Sequence, residues 1–204
     1  MASNEHVKSS NSISADALQA ISGRPTVKGP TRPVFRSKAA ADLSCLLDLD
    51  HRVQSWSCLI PSPASQDGEY TPDFLMTEID GTLWLLDAPG KKVPYDNFEM
   101  AEMAEKQGAQ YRLFEPSEIY DGFRLQNAKD LLRYVSHGVP LGDRMRILAA
   151  LDEHGSLSFG DCLGIVRETQ PVAALASMIL QGFVEVELDE ALLGPETMVR
   201  RIRG

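Results

Sequence analysis

Two aspartates pose the first chemical question: Asp73, in the segment TPDFL, and Asp87, in LLDA. Each sits close to an apolar run, and the Asp80-Gly81 pair between the runs is a hairpin turn signal. A turn there leaves arms of similar length, so antiparallel pairing carries both carboxylates toward one end of a sheet. Two carboxylates so placed repel each other and invite a cation. Hydrolysis of a phosphodiester with magnesium needs two or three such carboxylates, with a further cation to position or generate hydroxide. Acidic residues at strand ends also occur as solvated or capping groups, so the pair alone is half a site.

The surrounding pattern supplies elements to carry the pair. SKAAADLSCLLDLD offers Ser37 as N-cap, then Ala40, Leu43, Leu46 and Leu47 at helical spacing. RVQSWSCLI, EYTPDFLMTEI and GTLWLLDA read as three strands of a meander, with Trp56 buried between the serines of QSWSC. DNFEMAEMAEKQG follows as a second helix with Asp96 as N-cap and Gly108 as its stop. AQYRLFEP is a fourth strand, bounded by Pro116. The order is helix, three strands, helix, strand.

Beyond residue 120 the character changes. FRLQNAKDLLRYVSHG reads as a connecting helix, and LGDRMRILAALDEHG, SFGDCLGIVRET and PVAALASMILQG as three short helices. Pro171 suits the first position of the last helix, and Gly182 its end. FVEVELDEALLGPETMVRRI supplies a strand pair, so this part is expected to be winged-helix-like. A helix that reads DNA presents Arg, Lys, Asn or Gln to base edges and phosphates. PVAALASMILQG offers only Gln181, which favours a core or a protein contact.

The segment EYTPDFLMTEIDGTLWLLDAPG resembles the PD-(D/E)xK nuclease core, and more narrowly that of the TnsA-type transposon endonucleases. SKAAADLSCLLDLDHRVQSW resembles that family's helix and first strand, and the resemblance runs in ordered segments from about Ser37 to the end of the chain. It implies an α/β fold: a restriction-endonuclease-like αβββαβ core over 37–120, then a linker helix and winged-helix-like domain over 121–204; residues 1–36, rich in Ser, Gly and Pro with little apolar periodicity, read by composition as a disordered, mildly basic arm. It also implies Asp73 and Asp87 as catalytic and metal-binding residues, with magnesium, or manganese in its place, as cofactor. The chain departs from the pattern twice. Pro89 stands where the family has its lysine, and Ala40 where it has the helix glutamate. Lys91 and Lys92 follow shortly after, but Pro89 and Gly90 are expected to bend the chain away at the strand's end. Of the other carboxylates, Glu78 falls on the opposite strand face from Asp73, and Glu69 stands too far along the strand. The implied function is that of a catalytically impaired TnsA-like protein, binding DNA or a transposase-like partner in a mobile-element system. The alternative is an active magnesium-dependent endonuclease.

Charge and composition bound these readings. The 204-residue chain carries a net charge of -9, distributed as +3 over residues 1–36, -9 over 37–120 and -3 over 121–204. An acidic middle repels a phosphate backbone unless a metal or partner offsets it. GPTRPVFRSK is either a phosphate-seeking arm or a lightly basic tail, and Arg200, Arg201 and Arg203 either touch phosphate or solubilise the terminus. Cys45, Cys58 and Cys162 have no metal-site spacing and read as reduced thiols. The four histidines show no paired spacing. No apolar leader or membrane-length apolar run is present, so no membrane association and a cytoplasmic location are expected.

Overall fold

A computed structural model describes residues 21–59, 70–94 and 96–202. Two short strands open it, β1 (Ile21–Ser22) and β2 (Val34–Phe35), paired antiparallel. Helix α1 (Lys38–Leu49) starts where expected: Ser37 is extended, and its hydroxyl accepts from the Ala40 amide at 3.0 Å. Strands β3 (Val53–Cys58), β4 (Phe74–Glu78) and β5 (Leu83–Asp87) form the antiparallel meander. The Asp80-Gly81 turn is made with Gly81 at φ 89°, a conformation that favours glycine. Helix α2 (Asn97–Glu105) begins at a complete capping box between Asp96 and Glu99, and crosses back to β6 (Gln110–Leu113). That crossover makes β6 parallel to β5, giving a four-stranded mixed sheet in the order β3-β4-β5-β6.

One face of this sheet packs on α1. Leu43, Leu47, Trp56, Phe74, Met76 and Leu86 are buried there, with Trp56 edge-on to Phe74 at 5.5 Å between ring centroids. A smaller cluster of Leu85, Ala104 and Ala109 fills the α2 side. Alternation along β4 and β5 thus separates a broad apolar face from the side that carries Asp73 and Asp87.

Residues 23–36 do not behave as a loose arm. Phe35 is buried in the α1 core beside Trp56 and Phe74. The buried Asp48 carboxylate accepts from the Arg24 guanidinium at 3.1 Å, the Lys28 amide at 3.0 Å and the Trp56 indole at 2.8 Å. Gly29 lies so close under the Trp56 ring that a β-carbon there would collide with it. The ordered unit therefore begins well before Ser37, held by contacts with residues distant in sequence. The first twenty residues lie outside the described ones.

Helices α3 (Pro116–Tyr120) and α4 (Arg124–Leu132) link this unit to the rest. The expected connecting helix α4 packs on both sides: Ala128 and Leu132 enter the α1 core, while Leu131 meets Ala176 and Leu188. Helix α5 (Leu141–His154), strand β7 (Ser156–Ser158), helices α6 (Phe159–Ile165) and α7 (Pro171–Leu180), and strands β8 (Val184–Val186) and β9 (Met198–Arg201) complete the chain. The second sheet is antiparallel in the order β7-β9-β8, one strand more than the expected pair. Pro171 opens α7 and Gly182 follows its end at φ 73°. Residues Ala173 to Met178 of α7 are all buried, so of the two roles expected for that apolar helix it fills the core role. Among the described residues, no helix is long and apolar enough to cross a membrane.

Candidate functional site

The β4–β5 register decides where the two aspartates go. Phe74 pairs with Leu86, and one step further along, the Asp73 amide donates to the Leu86 carbonyl at 2.9 Å. Asp73 and Asp87 therefore stand side by side at one end of the sheet, as the sequence predicts. Their backbones and carboxylates interlock: the Asp73 amide donates to Asp87 Oδ1 at 3.0 Å, and the Ala88 amide to Asp73 Oδ2 at 3.0 Å. Asp73 is 6% exposed and Asp87 0%. Two buried carboxylates this close require counter-charge or strong donors.

The counter-charges are side chains of the chain itself. Lys91 Nζ lies 2.6 Å from Asp87 Oδ1, 3.4 Å from Asp73 Oδ1 and 2.6 Å from the Thr71 carbonyl. The expectation that Pro89 and Gly90 carry this lysine away is overturned. Gly90, at φ 82°, turns the chain back so that Lys91 folds over the carboxylates, while Lys92 is exposed. Arg36 closes the other flank. Its Nε and Nη2 reach Asp73 Oδ1 at 3.1 and 2.8 Å, and Nη2 also donates to the Thr71 carbonyl at 2.7 Å and to that of Pro72. Two phenols finish Asp87: Tyr70 donates to Oδ2, as does Tyr111 at 3.0 Å. The Lys91 ammonium also stands 4.6 Å from the centre of the Tyr70 ring, a cation–π contact.

Protonation follows from this packing. Burial pulls the Lys91 ammonium below its ordinary value of 10.5, against the pull of Asp73 and Asp87 in the other direction. Burial first, and then the hydrogen bond and charge of Asp87, push Tyr70 well above its ordinary 10.0. Burial and the Asp87 charge do the same to Tyr111. Both phenols are thereby kept as donors.

The remaining expected positions do not join the cluster. Ala40 is buried at the third position of α1, with its amide engaged by Ser37. Glu78 lines a cleft with Met76 and Trp84 on the α1 side, away from Asp73, as alternation predicts. Glu69 lies outside the described residues. Arg36, Tyr70 and Tyr111 are the members that sequence reasoning missed. Arg36 sat in a segment read as an arm. Tyr111 is traceable only through the β5–β6 register, which pairs it with Leu85.

A divalent metal does not fit the pair in this arrangement. Magnesium requires near-octahedral oxygen coordination at about 2.0–2.1 Å. Here both oxygens of Asp87 already accept two donors each, and Asp73 Oδ1 faces a guanidinium and an ammonium. Among the described residues no third His, Cys, Asp or Glu joins the two as a ligand set. The mouth of the site is a small cavity of about 230 Å³ lined by Arg36, Ser37, Asp73, Pro89, Gly90 and Lys91. Larger clefts of about 540 and 720 Å³ lie elsewhere, away from the carboxylates. The arginines of the former are already paired: Arg52 with Asp50, Arg112 with Glu118 and Arg124 with Asp189. The small polar cavity, lined by the charged groups Arg36, Asp73 and Lys91 with Asp87 buried behind them, is the candidate site.

Compared with known proteins, the chain matches no protein-family model, and none of the curated proteins matches it significantly.

Proposed function

We propose that this chain is a TnsA-like protein with a restriction-endonuclease-like core and a winged-helix-like C-terminal part, which works by binding within a transposition or mobile-element system and not by cutting DNA. The reading is supported by the order of elements, in which a helix, an antiparallel meander, a crossover helix and a parallel strand bring Asp73 and Asp87 together. Three helices with a three-stranded sheet then follow at the C-terminus. The single observation that carries the loss of cutting is the saturation of the two carboxylates by Arg36, Lys91, Tyr70 and Tyr111. An acidic chain with a net charge of -9 gains little from non-specific phosphate contact, which favours a transposase-like protein over bare DNA as the primary partner.

One observation favours the second reading, an active endonuclease: Lys91 stands 2.6 Å from Asp87 and so fills the lysine role that Pro89 vacates. Plasmid and linear-duplex cleavage in magnesium and then manganese separates the two. The binding reading expects intact DNA throughout. Cleavage that both Asp73→Ala and Asp87→Ala abolish overturns it.

A further inference from the structure

We propose that Arg36 is a built-in substitute for a divalent cation, and that the Asp73–Asp87 site excludes metal ions because the chain supplies its own positive charges. The oxygens that converge here would suit a hard cation: the carbonyls of Thr71 and Pro72, Asp73 Oδ1 and Asp87 Oδ1. Every one of them is turned onto cationic nitrogen. Arg36 takes Thr71, Pro72 and Asp73, and Lys91 takes Thr71, Asp73 and Asp87. Two negative charges meet two positive ones, so the electrostatic demand for a metal is gone.

Access points the same way. The Asp73 and Asp87 side chains are 5% and 0% exposed, whereas those of Arg36 and Lys91 are 17% and 19% exposed. An ion arriving from solvent therefore meets the guanidinium and the ammonium before it meets a carboxylate. Nor is Arg36 poised to leave. The preceding Phe35 is buried in the core, and the following Ser37 caps α1, so its backbone is fixed on both sides. A guanidinium held in this way is part of the framework. This inference rests on the same closure of the carboxylates as the proposed function, but its test needs neither DNA nor a partner: a failure of metal exclusion is read from the manganese titration, and a failure of the binding reading from DNA cleavage.

Manganese titration of the full-length protein, followed by the loss of the free-ion paramagnetic resonance signal, tests it. The wild type is expected to leave the signal as it is in buffer. Arg36→Ala, shown to be folded by circular dichroism, is expected to take up one manganese per chain. Adding Asp73→Asn should abolish that uptake, and Arg36→Lys, which keeps a cation in place, should behave as wild type. If Arg36→Ala does not fold, Arg36→Gln, with a similar length and no charge, takes its place. Stoichiometric binding by the wild type that Asp73→Asn removes overturns the proposal. So does a folded, charge-free variant at position 36 that binds nothing.

Discussion

At the scale of single residues, the cluster around Asp87 is a balance of charges whose parts can be removed one at a time. Lys91→Met keeps much of the side-chain volume but leaves Asp87 buried with no adjacent cation. Breaking a buried ion pair from one side costs roughly 3–5 kcal/mol. The lower end is expected here, because Tyr70, Tyr111 and the Asp73 amide still serve the carboxylate. Urea unfolding of Lys91→Met should show this loss, and Lys92→Met, at an exposed position, should show almost none. The phenols make a pH prediction. Tyr70 and Tyr111 are raised above 10.0 in the folded state, while an unfolded chain releases those protons near that value. The folded protein thus binds more protons above pH 10, and stability falls as pH rises past it, with the full contribution present below. Lys91, lowered in the folded state, acts in the opposite sense. The Tyr70→Phe/Tyr111→Phe double variant should therefore lose less stability than wild type between roughly pH 9 and pH 11, as read from melting temperatures.

At the scale of elements, what was legible in the sequence was what local chemistry dictates. Ser37, Asp96 and the Asp80-Gly81 turn each announce a boundary through their own hydrogen bonds or backbone freedom, and α1, α2 and the β4–β5 hairpin form where they predict. That hairpin alone brings Asp73 and Asp87 together. Elements held by distant partners were not legible. The segment from Gly23 to Arg36 is rich in proline, glycine and polar residues, and only Asp48, Trp56 and Phe74, far along the chain, give it a place. Since Arg36 rides on that segment, half of the site's positive charge was hidden with it. The short strand β7 was missed for a similar reason: it exists through its pairing with β9. Trp56→Phe tests this anchoring. Losing the indole donor to the buried Asp48 is expected to cost about 1–3 kcal/mol, and to expose the Gly23–Arg36 segment to protease sooner than the rest of the chain. Ser37→Ala, by contrast, should cost about 1 kcal/mol through the loss of the α1 cap.

At the scale of the whole molecule, α4 and the buried amide of its Asn127 help to join the four-stranded sheet to the three-stranded one. Asn127 Nδ2 donates to the Leu188 and Ala191 carbonyls at 2.8 and 2.7 Å, and its Oδ1 accepts from the Leu193 amide at 2.9 Å. The residue is 1% exposed, and its bond to the Leu188 carbonyl is fully buried while the other two are partly so. Asn127→Ala leaves those backbone groups without partners and is expected to destabilise the joint by about 2–4 kcal/mol. Hydrogen exchange should then quicken in the loop from Leu188 to Leu193 before it quickens in β4 and β5. Such coupling fixes the C-terminal helices relative to the carboxylate end of the first sheet.

In the wild-type protein the carboxylate pair is closed by the chain's own cations, Arg36 and Lys91. Crystals of the wild-type protein grown with manganese, measured at a wavelength where that ion scatters anomalously, address this most directly. The expected map has Arg36 on Asp73, Lys91 on Asp87, and no anomalous peak between them. A peak bound to oxygens of both aspartates, with Arg36 turned aside, would overturn that closure.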